Sequence, residues 1–119
     1  MEVIFPKRGE IYLVNFDPTV GAEIQKTRPA LILQNDVTNQ YGAVTIVAAI
    51  TSSKKEKLYP TEVLIKALET GLRVDSVVVL NQIRSIDKQR LTRKLGQVES
   101  VTMRRVDSAL QISLGLVDL

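Results

Sequence analysis

The residue with the clearest chemical potential is Arg28, which precedes Pro29 and an apolar run from Ala30 to Leu33. Pro29 disfavours the helical region for Arg28, and the short apolar run predicts a strand buried on both faces. Arg28 is therefore expected at the mouth of a buried strand. A guanidinium held there presents a planar fork of donors that suits phosphate oxygens. The alternative is an arginine that pairs with a nearby carboxylate such as Glu23.

A second polar group, from Thr51 to Lys57, follows the apolar segment Ala43 to Ile50, which predicts another buried strand, central in the sheet. The group contains three hydroxyl residues and three lysines. Such donors would suit a phosphate backbone, but charge runs are also common in solvated loops. Arg28 and Thr51 thus each lie at the mouth of a predicted strand, and their spacing in sequence does not determine whether they meet in space.

The absence of histidine and cysteine narrows the possible chemistry. It excludes Ser-His-Asp and Cys-His nucleophilic systems and histidine metal sites. The aspartates are scattered, with no D-x-D cluster or EF-hand loop, so a carboxylate-bound Mg²⁺ is unsupported rather than excluded. We expect no metal site and no cofactor.

Length and composition predict one soluble globular domain over residues 1–119, with 45% hydrophobic and 24% charged residues. A net charge of +3 makes an anionic partner possible. No apolar run approaches the length of a membrane span, and the absence of cysteine fits a reducing compartment. We therefore expect a cytoplasmic protein with no membrane association.

Periodicity predicts the elements that must position these residues. The predicted strands, besides the two above, are Glu10–Phe16, Thr61–Ile65 and Asp75–Ile86, and Lys88–Leu95 is a short basic segment. A polar loop, Thr19 to Thr27, is expected to contain Gly21 at positive φ. Gln82 interrupts an apolar run, so its amide is expected either to brace a loop or to face a site.

The last segment has helical periodicity, with Ser100 as a plausible N-cap. The expected apolar stripe consists of Met103, Val106, Leu110, Leu114 and Val117, widened by Ala109 and Ile112. We expect this helix to cover a sheet. Five or six short strands with one covering helix predict a small, twisted, barrel-like β structure with α additions.

Six segments form an ordered pattern along the chain: Arg8–Tyr12, Phe16–Glu23, Thr27–Asn35, Ile46–Ser52, Val79–Asp87 and Leu110–Leu114. Together they resemble the MazF/PemK toxin family over nearly the whole chain. The resemblance implies an α+β, β-rich fold, an SH3-like (CcdB/MazF-type) small barrel with a C-terminal helix packed on the sheet. It also implies a homodimer that cleaves single-stranded RNA at specific sequences, and a cognate MazE-like antitoxin with an acidic disordered tail.

The resemblance also assigns roles to individual residues. It implies that Arg28 and Thr51 are catalytic and that Glu23 is the functionally sensitive acid of the loop. The residues expected to bind RNA are Arg8, Gln25, Ser52, Ser53, Lys54, Lys57 and Gln82.

The chemistry implied by the family needs no histidine and no metal, because the ribose 2′-OH can attack the adjacent phosphorus. Arg28 and Thr51 would stabilise the phosphorane. Arginine is a poor base, so Glu23 is the physical candidate for removing the 2′-OH proton. Two alternatives remain. One is a CcdB-like toxin that binds DNA gyrase without catalysis, although this chain lacks the C-terminal tryptophan on which that contact depends. The other is an inactive RNA-binding barrel.

Overall fold

A computed structural model of the chain describes residues 5–52 and 57–119. Their elements are β1 (Glu10–Asn15), β2 (Thr27–Ile32), α1 (Asp36–Tyr41), β3 (Val44–Ser52), β4 (Glu62–Ile65), α2 (Ala67–Thr70), β5 (Ser76–Asp87), a 3₁₀ turn (Lys88–Arg90), β6 (Leu91–Gln97) and α3 (Ser100–Ser113). The predicted strands and the C-terminal helix are all present. The basic segment after β5 forms the 3₁₀ turn and most of β6.

The six strands form one antiparallel sheet in the order β4-β5-β3-β2-β1-β6. The expected β-rich fold with a C-terminal helix packed on the sheet is confirmed: within the described ranges, the sheet is small, twisted and open rather than a closed barrel. Closure would require pairing between the edge strands β4 and β6. Instead α2 packs against β6, so closely that a Cβ added to Gly96 would lie 1.7 Å from the carbonyl oxygen of Thr70.

The centre of the sheet is buried on both faces, as the apolar run in β2 predicts. Ala30, Leu31 and Ile32 are all fully buried. Leu31 belongs to a core cluster that also contains Val106 of α3, whereas Ala30 and Ile32 belong to a second cluster. We call the first the helix-side core. The second, here called the loop-side core, consists of Tyr12, Val14, Phe16, Ala30, Ile32, Val47, Ala49, Ile86 and Leu91, with Ile24 packed against it.

The polar interruption in β5 coincides with a change in strand register. Ala49 pairs with Val79, but its neighbour Ala48 pairs with Ile83. Three residues of β5, including Gln82, therefore lie opposite a single step of β3. Such a bulge bends a strand and redirects its side chains, which explains how a long apolar strand accommodates two consecutive amides.

Helix α3 begins and ends differently from the prediction. Its N-cap is Glu99, and Ser100 is the first helical residue. At the other end Gly115 adopts φ +73° and Leu116 donates its N–H to the carbonyl of Gln111 at 2.8 Å. This is a Schellman termination. It ends the helix at Ser113.

The apolar stripe is consequently shorter than expected. Val106 and Ala109 are buried, with Met103 and Leu110 packed against the helix-side core. Leu114 and Val117 remain 53% and 44% exposed, because they follow the last helical turn. No helix in residues 5–52 and 57–119 is long and apolar enough to cross a membrane.

Candidate active site

The two residues implied to be catalytic lie on neighbouring strands. The ladder between β2 and β3 pairs Ala30 with Ala49, Leu31 with Ala48 and Ile32 with Val47. Extending this register by two residues sets Arg28 opposite Thr51, on the side of the sheet that Ala30 and Ala49 share. Thr51 lies within β3, where it pairs with Val77 of β5, rather than after the strand. The strand order thus puts Arg28 and Thr51 on adjacent strands, which sequence spacing left open.

The guanidinium of Arg28 is only partly committed to the protein. Its Nε donates to the carbonyl of Gln25 at 3.0 Å, and among the described residues its two terminal nitrogens have no partner. The alternative pairing of Arg28 with Glu23 is not formed among the described residues, and Oε1 of the Glu23 carboxylate accepts the backbone N–H of Val20 at 2.6 Å. Arg28 therefore keeps its fork of donors free for a ligand.

Glu23 lies on a loop that is closed at its base. Phe16 donates its N–H to the carbonyl of Lys26, and the Asp17 carboxylate accepts the N–H of Lys26, both at 3.0 Å. Gly21 has φ +57°, as predicted, and Lys26 shares the positive region at φ +69°. The loop is thus a compact unit whose conformation is set by local hydrogen bonds.

Gln82 braces this loop, which is one of the two alternatives left open by the sequence. Its Oε1 accepts the N–H of Ile24 and its Nε2 donates to the carbonyl of Ala22, both at 3.4 Å. Gln82 also lines a cavity of about 50 Å³ together with Glu23 and Arg84. A substrate contact by Gln82 stays a prediction, and its amide already links β5 to the loop.

Sequence reasoning missed two arginines that bind the backbone where the chain leaves β1 and enters the loop. Arg84 Nη1 donates to the carbonyl of Phe16 at 2.5 Å. Arg90 Nη1 donates to the carbonyl of Asn15 at 3.1 Å and to that of Asp17. The basic segment Lys88–Leu95 contained Arg90 but gave it no partner, and Arg84 lay within a predicted strand. In both cases the acceptors are backbone carbonyls more than sixty residues away.

The remaining predicted RNA contacts are distributed unevenly. Ser52 lines a cavity of about 600 Å³ together with Arg28, and Gln25 and Lys57 are exposed. The Arg8 side chain instead makes contacts within the protein: its Nε donates to the carbonyl of Leu33 at 2.8 Å and its Nη2 pairs with Asp107 of α3. Ser53 and Lys54 lie outside the described residues.

Tyr12, which belongs to the loop-side core, retains its proton. Burial raises its pKa to about 12, and the negative charge of Glu10, whose carboxylate accepts the hydroxyl, adds to the effect. Tyr12 is therefore not a base near neutral pH. Within residues 5–52 and 57–119, no three residues among His, Cys, Asp and Glu are grouped to hold a metal ion.

An arginine with uncommitted donors and a threonine, on adjacent strands of a small antiparallel sheet, are groups suited to binding an oxyanion. Residues 7–114 match the family model of PemK-like, MazF-like toxins of type II toxin–antitoxin systems, and the chain belongs to this family. The CcdB-like alternative is not favoured by this match.

Individual relatives agree with this assignment. The chain is 47% identical over 112 residues to endoribonuclease EndoA of Bacillus subtilis, a match that covers 94% of this chain and 97% of that protein. The structure of MazF from Deinococcus radiodurans is similar with a TM-score of 0.80 at 29% identity, covering 95% of this chain and 99% of that one. An endoribonuclease in complex with its cognate antitoxin, from mycobacterial species, has a TM-score of 0.78 at 25% identity, covering 96% and 99%.

Proposed function

We propose that this protein is a sequence-specific, metal-independent endoribonuclease that cleaves single-stranded RNA, as the cytoplasmic toxin of a toxin–antitoxin pair. The observation that carries the proposal is the pairing of β2 with β3: continuing their register by two residues along both strands would set Arg28 opposite Thr51. The similarity to EndoA, named an endoribonuclease, supports RNA as the substrate.

The proposed reaction uses the nucleophile that RNA already contains. The 2′-OH loses its proton as it attacks the adjacent phosphorus, the bond to the 5′-oxygen breaks, and that oxygen takes up a proton from solvent, so the products carry a 2′,3′-cyclic phosphate and a 5′-OH. The free nitrogens of Arg28 and the hydroxyl of Thr51 donate to the phosphorane oxygens as negative charge builds up.

Glu23 is our candidate for accepting the 2′-OH proton. Its Oε1 is engaged by the N–H of Val20, and this bond orients the carboxylate while its second oxygen stays available. Arg28 remains protonated in this scheme, because a guanidinium is a poor base.

The test is cleavage of a labelled RNA containing all short sequence motifs, with and without excess EDTA. We expect equal cleavage in both, and mass spectrometry should find a cyclic phosphate upstream and a 5′-OH downstream of the cut. Replacing the scissile 2′-OH by hydrogen should block cleavage while leaving binding nearly unchanged. A 5′-phosphate product, or loss of activity on chelation, would contradict the proposal, since a metal-dependent nuclease uses its ion to activate the nucleophile.

We further propose that the protein forms a homodimer and that an acidic, initially disordered segment of a cognate antitoxin covers Arg28. The support is the family match and the relative solved with its antitoxin, together with the uncommitted guanidinium. Disordered segments can wrap such grooves, and their binding to cations weakens with salt. An antitoxin that binds but leaves RNA cleavage intact would exclude a shared site.

A further inference from the structure

We propose that the cavity of about 600 Å³ beside Arg28 is a second phosphate-binding subsite, in which Arg73 and Arg93 hold the RNA chain next to the scissile phosphate. This inference rests on the proposed function, because it names where the same substrate continues. Neither Arg73 nor Arg93 belongs to the segments that carry the family resemblance.

Three separate parts of the chain build the cavity. Arg28 comes from β2, Arg73 from the connection between α2 and β5, and Arg93 from the edge strand β6, where it is followed by Lys94. The sequence does not indicate that these three arginines meet, since Arg28 and Arg73 are 45 residues apart and Arg73 and Arg93 are 20 apart. The antiparallel pairing of β1 with both β2 and β6 brings Arg28 and Arg93 to one end of the sheet, where Arg73 lines the same cavity.

The charged residues that line the cavity, as far as the structure describes it, are all positive. No aspartate or glutamate is among its described lining residues. Arg73 and Arg93 are exposed, and within the described ranges neither has an ion pair or a side-chain hydrogen bond. Lys94 differs, because its Nζ lies 2.9 Å from the carboxylate of Glu10. Arg28, Arg73 and Arg93 therefore line one cavity with no carboxylate among its described lining residues, and an anionic occupant would relieve their mutual repulsion.

The rest of the lining suits a nucleotide better than a free anion. Hydroxyls of Thr27, Ser52 and Ser76 stand beside the cations, and an apolar surface is formed by Leu13, Ile50, Leu72 and Leu95. Single-strand channels combine a basic track for the backbone with apolar surface for bases, and arginine planes also stack on unpaired bases. Arg28 also lines this cavity, although strand alternation puts its side chain on the loop-side face and Leu13 and Ile50 on the helix-side face, so an RNA chain bound here would pass round the end of the sheet from the scissile phosphate.

The test compares two double variants that each remove two positive charges. R73Q/R93Q alters the proposed subsite. R104Q/R105Q is the matched control, because these exposed arginines line a different cavity of about 520 Å³ between β4 and α3. Steady-state cleavage of a long single-stranded RNA is measured across a series of salt concentrations.

We expect R73Q/R93Q to raise KM about tenfold, because the two arginines would hold RNA without touching the reacting phosphate. The slope of log(kcat/KM) against log[salt] should become shallower by about 1.4, since each phosphate contact to a single strand contributes about 0.7. R104Q/R105Q should retain the KM and the slope of the unmodified protein. Equal behaviour of the two double variants would overturn the inference.

Binding of a fluorescein-labelled single-stranded DNA provides a readout that does not require cleavage, since DNA has phosphates but no 2′-OH. Weaker binding by R73Q/R93Q alone supports the subsite. A change in oligomeric state or in antitoxin affinity, with nucleic-acid binding unchanged, overturns it in favour of a protein interface. If the unmodified protein binds DNA through these arginines but cleaves no RNA, only the proposed function fails. If it cleaves RNA and R73Q/R93Q behaves like the control, only the subsite fails.

Discussion

Arg8 and Arg28 are the same residue type in two regions of one sheet, and the structure uses them differently. Arg8 donates from Nε to Leu33 and from Nη2 to Asp107, and its backbone N–H donates to Asp36 at 2.7 Å. Within the described ranges, the side chain of Arg28 makes a single hydrogen bond, from Nε to the carbonyl of Gln25. The first guanidinium joins the N-terminal segment to α3, whereas the second retains its donors. Residue type therefore does not distinguish a structural arginine from an available one, but the number of satisfied donors does.

The largest effect that this comparison predicts is on catalysis. Arg28→Ala should lower kcat/KM for RNA by about 10²-fold or more, the usual cost of removing one preorganised donor at a developing charge. Its thermal unfolding should match that of the unmodified protein, because Arg28 makes one hydrogen bond at a half-buried position. Arg104→Ala, at an exposed arginine of α3, is the control. Unmodified turnover by the Arg28 variant would remove this residue from the mechanism.

The opposite outcome is expected for Arg8→Ala. This change leaves the carbonyl of Leu33 without its donor and Asp107 without its cation, so the free energy of unfolding should fall by about 1–3 kcal/mol. Activity per folded molecule should be retained. Denaturant unfolding and an activity assay well below the midpoint measure the two quantities. Reduced RNA affinity at unchanged stability would instead support the sequence-based prediction that Arg8 contacts RNA.

Thr51 tests whether the strand opposite Arg28 contributes a hydroxyl. Thr51→Ala should reduce kcat by about tenfold or more, because a donor to the phosphorane is lost. Thr51→Ser should keep part of the rate, since the hydroxyl remains. Single-turnover cleavage at saturating protein isolates this step from binding. Equal loss in both variants would mean that the methyl group, through packing, is what matters.

The smallest effect concerns Tyr12 in the loop-side core and depends on pH. The pKa of Tyr12 is about 12 in the folded protein, against about 10 when the chain is unfolded. Between pH 10 and 12 the unfolded state therefore loses this proton first, and the folded state is destabilised relative to it as pH rises. Tyr12→Phe should show a shallower alkaline loss of stability, measured by urea unfolding at several pH values. Identical pH profiles would show that Tyr12 is not held neutral by burial.

Local features of the sequence predicted strands β1 to β5 and the C-terminal helix, but neither α2 nor β6. Pro29 and the apolar run after it predicted β2, glycine predicted the positive φ at Gly21, and the 3.6-residue period predicted α3. These features follow from steric limits on φ and from hydrophobic periodicity, which act within a few residues. The helical periodicity wrongly extended the apolar stripe to Leu114 and Val117. The helix ends earlier, because the carbonyl of Gln111 accepts the N–H of Leu116, beyond Gly115.

The family resemblance carried Arg28, Thr51 and Glu23 as site residues, but only the tertiary structure determined their surroundings. Strand order put β2 beside β3, the bulge in β5 turned Gln82 towards the loop, and α2 packed against β6 in place of a closing strand pair. The same order gathered Arg73 and Arg93 around Arg28. These contacts join residues far apart in the chain, and they form because the whole sheet must bury both of its faces at once. No local spacing contains that constraint.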